Sequence, residues 1–167
     1  MGQGLSFKCS KCGKEYSASW GIGFLFPQVY KDLLDNVKKG KYGQEWKELS
    51  LSTEYVAVDA EEYVYICKKC GHWGVEPGLS LYAPNDVKTL KKKQYGIKNV
   101  EEWGEPPYVM SSDLQEDYHI LKRKIHKCTK CSGTMHKAAD KELNGLCCPD
   151  CGGAPDENAD VGMIMWD

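Results

Sequence analysis

Long apolar runs are missing from this chain. No stretch approaches the roughly 20 residues that a bilayer-spanning helix requires. The first 20 residues also lack a basic start followed by the apolar core of about 7–15 residues that marks a secretory signal. A cytoplasmic protein with no membrane partner is therefore expected. Met1-Gly2-Gln3-Gly4-Leu5-Ser6 fits a short N-myristoylation pattern but is better read as a flexible glycine leader. Catalytic signatures are lacking as well. There is no H-E-x-x-H, G-x-S-x-G or phosphate-loop pattern, and no His-x-Glu precedes the Cys148-Pro149-Asp150-Cys151 segment as a deaminase would need. No small-molecule substrate is evident, and an enzyme is the weakest class. Arginine is scarce: Arg123 stands alone among 22 lysines and arginines, which argues against bidentate reading of bases or phosphates.

Leu, Ile, Val and Phe are modest in number, so neither half of the 167 residues can build a large core unaided. Small domains in that position need a staple of disulfides or metal. The chain supplies one in nine cysteines. Eight form four C-x-x-C pairs, Cys9/Cys12, Cys67/Cys70, Cys128/Cys131 and Cys148/Cys151. In a reducing compartment such pairs are metal ligands more often than disulfides. A C-x-x-C turn places two sulfurs on one ion without strain, and two turns complete a tetrahedron.

Spacing suggests sequential pairing. Cys128, Cys131, Cys148 and Cys151 fit C-x₂-C-x₁₆-C-x₂-C. Cys9, Cys12, Cys67 and Cys70 would form the other site across a 54-residue spacer, with a cross-brace of first with third and second with fourth pair as the rival. Two zinc ions are expected. Bound to eight thiolates, they would shift the formal charge of −2 to about −6, which disfavours general polyanion binding. Cys147 is the odd cysteine and reads as a buried strand residue. His72 and His126, each two residues from a ligand, could hydrogen-bond a thiolate or lie in solvent.

Periodicity predicts a short helix over Val29–Lys39, with Tyr30, Leu33, Leu34 and Val37 on its buried face. A second runs over Gln44–Leu51 with Trp46 and Leu49 inward, and Phe24, Leu25 and Phe26 cover this helical insertion. Tyr63-Val64-Tyr65-Ile66 reads as a strand entering the second knuckle, with a return strand in Trp73–Tyr82. Between Ala83 and Asp117 the pattern fades, marking a connecting region. Tyr118, Ile120 and Ile125 then suggest a strand entering the third knuckle, and Val161–Trp166 a closing strand.

At these residues the chain resembles the zinc-ribbon, or rubredoxin-like, superfamily, most closely over Cys128–Gly153. The runs Lys8-Cys-Ser-Lys-Cys-Gly, Gly21-Ile-Gly-Phe-Leu-Phe-Pro and Tyr65-Ile-Cys-Lys-Lys-Cys-Gly also look like small bacterial zinc-ribbon proteins of unassigned function. The resemblance implies a small metal-stapled α+β fold. Its two zinc ribbons would be built from β-hairpins: 1–85 with a helical insertion at about 28–51, a connecting region at 86–117, and 118–167. It also admits iron as a substitute metal and a rubredoxin-like electron carrier as one reading.

Two other functions compete. Closed metal sites, mixed charge and aromatics in the glycine-rich Trp20–Phe26 loop favour a non-enzymatic interaction or adaptor module with a protein partner. A basic stripe of Lys122, Arg123, Lys124, Lys127, Lys130 and Lys137, with no acid between 119 and 137, is the nucleic-acid alternative. The five acids from Asp150 onward could pair with it instead.

Overall fold

The computed structural model describes residues 2–157 and 162–166. In chain order the first half carries β1 (Gly2–Lys8), β2 (Glu15–Gly21), α1 (Phe26–Lys38), α2 (Gln44–Ser52), β3 (Ala57–Val58), β4 (Glu62–Cys67), β5 (Trp73–Pro77) and β6 (Leu81–Pro84). There follow α3 (Val87–Lys91), β7 (Gln94–Tyr95), β8 (Lys98–Asn99), α4 (Val100–Trp103), α5 (Ser111–Asp117), β9 (Tyr118–Lys122), β10 (Met135–Lys137), α6 (Asp140–Leu143) and β11 (Gly162–Trp166). The protein is mixed α+β with antiparallel sheets. No helix among the described residues is long and apolar enough to cross a membrane.

Contacts divide the chain into two units, each discontinuous. The first comprises 1–24, 62–77 and 125–167, the second 25–61 and 78–124. This differs from the sequential division expected at 1–85, 86–117 and 118–167. The reason is strand pairing between distant segments, which local patterning does not register.

The first unit is built on one sheet, ordered β10-β4-β2-β1-β11, with β5 also paired to β4. Its strands follow from alternation: Leu5 and Phe7 on β1 and Ala18 on β2 face one core, joined by Val64 and Leu146. On the opposite side of β4, Tyr63, Tyr65 and Cys67 pack with Cys128 and Met135. β4 is therefore buried on both faces, consistent with its unbroken apolar run Tyr63–Cys67. Residues 2–8 are the strand β1, paired to β2 on one side and β11 on the other, and not a flexible leader. The return strand after the second knuckle ends at Pro77.

The second unit packs α1 and α2 with a three-stranded sheet, β3-β6-β9. Phe26, Tyr30, Leu33, Leu34 and Val37 form the buried stripe of α1 at helical spacing, and Pro27 opens its first turn. Phe26 alone of the 24–26 aromatic and leucine run is buried; Phe24 and Leu25 are 83% and 67% exposed. Trp46 and Leu49 of α2 are only half-buried. The segment 86–117 is structured. Asp86 caps α3 and Asn99 forms a capping box with Glu102 on α4, while Leu90, Tyr95, Val100, Val109 and Leu114 are buried. Its elements are of two to seven residues, too short to leave a period. β9 pairs with β6 and does not enter the third knuckle as expected.

Leu81 is fully buried on the middle strand β6. Leu81→Ala should cost about 2–5 kcal/mol of stability by denaturant unfolding. A change below about 1 kcal/mol would contradict a packed core at this position.

Candidate metal centres

Four turns of one design hold the eight cysteines. In each, the N–H of the first cysteine donates to the carbonyl five residues on, at 2.8–2.9 Å. The N–H four residues on donates back to that cysteine's carbonyl, at 2.8–3.0 Å. The reversal demands a left-handed residue after the second cysteine. Gly13, Gly71 and Gly152 provide it at φ near +70°, and Ser132 adopts it at +56°.

The turns close in a nested pattern. Cys9 and Cys12 meet Cys148 and Cys151, forming the outer cluster, and Cys67 and Cys70 meet Cys128 and Cys131, forming the inner one. This corrects the sequential pairing, and it is not the cross-brace either. Spacing within a segment says nothing about which pairs of strands lie side by side. Here β1 and β4 each carry the first half of a cluster, and segments from the C-terminal third return to both.

The two clusters are structurally equivalent. β1–turn–β2 and β4–turn–β5 are hairpins in the same register, Lys8 opposite Glu15 and Ile66 opposite Trp73. Ser10 N–H donates to Ala154 O at 3.0 Å and Lys68 N–H to Thr134 O at 3.1 Å. Pro155 bridges to Cys9 as Met135 does to Cys67. Gly133 and Gly153 let the returning chain pass against the opposite turn: a Cβ there would stand 3.0 Å from Cys67 Sγ and 2.9 Å from Cys9 Sγ.

The sulfur geometry fits a tetrahedral ion. All ligand atoms of a cluster lie within 4.8 Å of one another. Individual contacts are 3.5 Å for Cys9–Cys151, 3.9 Å for Cys12–Cys148, 3.4 Å for Cys67–Cys131 and 3.7 Å for Cys70–Cys128. A tetrahedron with metal–sulfur bonds of about 2.3 Å has edges of about 3.8 Å. The cysteines are not disulfide-bonded. In each cluster the first and third cysteines are buried and the second is exposed, so the sulfurs lie at the tip of the sheet. Both groups could hold a metal ion, compatible with zinc-ribbon-like binding.

Electrostatics repeats the equivalence. The N–H of Cys12 lowers the Cys9 thiol to about 6, and the N–H of Cys70 does the same for Cys67. Cys131 and Cys151 go the other way. The N–H groups of Gly133 and Gly153 lower them, but hydrogen bonds with neighbouring thiols and burial push both up to about 12. Metal-free clusters therefore keep protons that a metal must displace.

Other predicted residues fall differently. Cys147 is exposed and outside both clusters, because Leu146 takes the buried position beside it. His126 is buried, stacked on Tyr65 at 3.7 Å with Nδ1 2.7 Å from Glu76 Oε2. His72 has its pKa lowered by burial and by Lys130. The basic stripe does not remain one set: Lys122, Arg123 and Lys124 belong to the second unit, Lys127, Lys130 and Lys137 to the first. Lys122 pairs with Glu45 at 2.6 Å, Lys130 donates to Pro149 O at 2.8 Å, and Lys137 lies 3.3 Å from the centre of the Tyr63 ring. Of the acids proposed to pair with the stripe, Asp150 pairs with Lys14, while Asp160 and Asp167 lie outside the described residues.

No family model, curated protein or solved structure matches the chain.

Ser132→Gly should relieve the left-handed strain and stabilise the metal-loaded protein by about 0.5–1 kcal/mol, read as a raised unfolding midpoint. A neutral or destabilising result would mean that Ser132 is not strained. Metal affinity should rise with pH. Cys131 and Cys151 still carry protons at neutral pH, so each ion displaces at least one, giving roughly tenfold or more per pH unit between pH 6.5 and 8 by chelator competition.

Proposed function

We propose that the protein is a non-enzymatic zinc protein whose two zinc-ribbon-like modules staple its first unit, and that it acts as an interaction module for a protein partner. One observation carries this reading: each cluster offers four thiolates to one tetrahedral ion. Four sulfurs fill the coordination sphere and leave no position for water or substrate, which is the arrangement of structural zinc. Zinc is preferred because it accepts four thiolates without an electronic preference for geometry. An iron-loaded electron carrier would use the same sulfurs, and elemental analysis separates the two.

The partner reading rests on exposed apolar side chains. Leu25 and Val29 lie one turn apart at the start of α1, 67% and 48% exposed, and Phe24 precedes them in the chain. Aromatic and aliphatic groups of this kind anchor protein interfaces. The nucleic-acid reading is weaker, because Lys122, Lys130 and Lys137 are engaged within the protein.

Native mass spectrometry with elemental analysis should find two zinc ions per chain; one ion, or none, would overturn the assignment. Fluorescence anisotropy against mixed DNA and RNA should show no binding that weakens steeply between two salt concentrations. Steep salt dependence would replace the protein-partner reading with the nucleic-acid one.

A further inference from the structure

The outer cluster is completed by a segment that the inner module holds in place. Three backbone carbonyls around Cys148 each accept a hydrogen bond from a side chain. Tyr16 Oη donates to Leu146 O at 2.6 Å, Trp73 Nε1 to Cys147 O at 2.6 Å, and Lys130 Nζ to Pro149 O at 2.8 Å. Tyr16 stands on β2, within the outer module. The other two donors belong to the inner one: Trp73 lies three residues after Cys70, and Lys130 lies between Cys128 and Cys131. A groove of about 330 Å³ is lined by Cys70 and Cys131 of the inner cluster, Cys148 of the outer, and Trp73 and Lys130.

We infer that the two metal sites are positively coupled, with the inner site loading first and Trp73 and Lys130 acting as positioning residues for the outer one. The inference rests on the metal reading above. Metal in the inner cluster fixes both turns that carry these donors. Their hydrogen bonds then hold the peptide groups on either side of Cys148, so the last turn arrives at Cys9 and Cys12 already oriented. Without inner metal the two donors have no fixed origin, and the outer cluster must order its last turn alone. Chain connectivity acts in the same direction. The outer pairs are separated by 135 residues, and closing the inner cluster shortens the free path between them. Because binding free energies are linked, outer metal strengthens the inner site by the same factor.

The full-length protein is titrated with zinc and its species are read by native mass spectrometry at one equivalent. Two uncoupled sites would leave at least half of the molecules with a single ion, and more where the inner site is the tighter; a coupling of about tenfold brings that fraction below half, to about a quarter where the intrinsic affinities are similar. In the half-loaded remainder, alkylation should mark Cys9, Cys12, Cys148 and Cys151 while sparing the inner four. Trp73→Phe and Lys130→Met, which each remove one donor and keep the apolar bulk, should raise the half-loaded fraction. Lys130→Arg should restore it, since a structural role for the stem alone would not need a donor. Two ions that load independently in the wild type would overturn the coupling, and alkylation confined to the inner cysteines would overturn the loading order; either leaves the metal reading intact. A chain that takes up no metal would overturn both.

Discussion

Everything in the first unit depends on four C-x-x-C turns finding their partners across the chain. The outer cluster joins residues separated by 135 positions and the inner cluster residues separated by 57. Neither join is local, and each requires a strand to return beside one laid down far earlier: β10 beside β4, and β11 beside β1. The loss of chain entropy grows only slowly with loop length, so the long closures are tolerable if the join itself is strong. Metal–thiolate bonds of the proposed kind would be strong enough, and the apolar cluster of Leu5, Phe7, Val64 and Leu146 adds burial that begins at the same strands.

The nested order also explains why the second unit is inserted in two pieces. The chain leaves the first unit after the β1–β2 hairpin, returns for the β4–β5 hairpin, leaves again, and returns with the last two turns. Each hairpin is a complete half-site with its own strands and turn. Each can therefore be separated from its other half by an excursion of any length, provided the return segment brings a turn followed by a strand. The equivalence of the two clusters, down to the left-handed residue and the glycine that passes the opposing sulfur, shows that one local solution serves both. Ser132 is the one place where a residue with a side chain occupies the position that glycine takes in the other three turns.

Local features were legible in the sequence to the extent that their causes were local. The C-x-x-C turns, the stripe of α1 and the strand Tyr63–Cys67 each follow from adjacent residues. Pairing of the turns did not, because Cys128–Cys151 has a conventional spacing that the fold does not use. The stretch 86–117 read only as a connecting region because its order comes from caps at Asp86 and Asn99 and from single buried residues on short elements. Tyr118 and Ile120 read correctly as strand, yet the strand's partner β6 was invisible from its own residues. Trp73 and Lys130 could have been noticed as residues flanking ligands. Their acceptors, the carbonyls of Cys147 and Pro149, carry no sequence signal at all.

Lysine placement is best understood through the clusters. A tetrathiolate cluster holding the proposed divalent ion would carry a net charge of about −2, and both cysteine clusters lie in one unit. Lys11, Lys69 and Lys130 occupy the same position in three of the four turns, immediately before the second cysteine. The backbone N–H groups of Lys69 and Lys130 also lie 3.4 Å from the first sulfur of their turns, as donors to the charge that develops there. The fourth turn has Asp150 in that position, and Lys14 from the opposing turn pairs with it. A basic residue thus accompanies every turn, supplied in place or from across the cluster. Of the six basic residues at 122–137 only Lys130 belongs to this set; Lys122 is paired with Glu45 instead, and Lys137 lies over the Tyr63 ring.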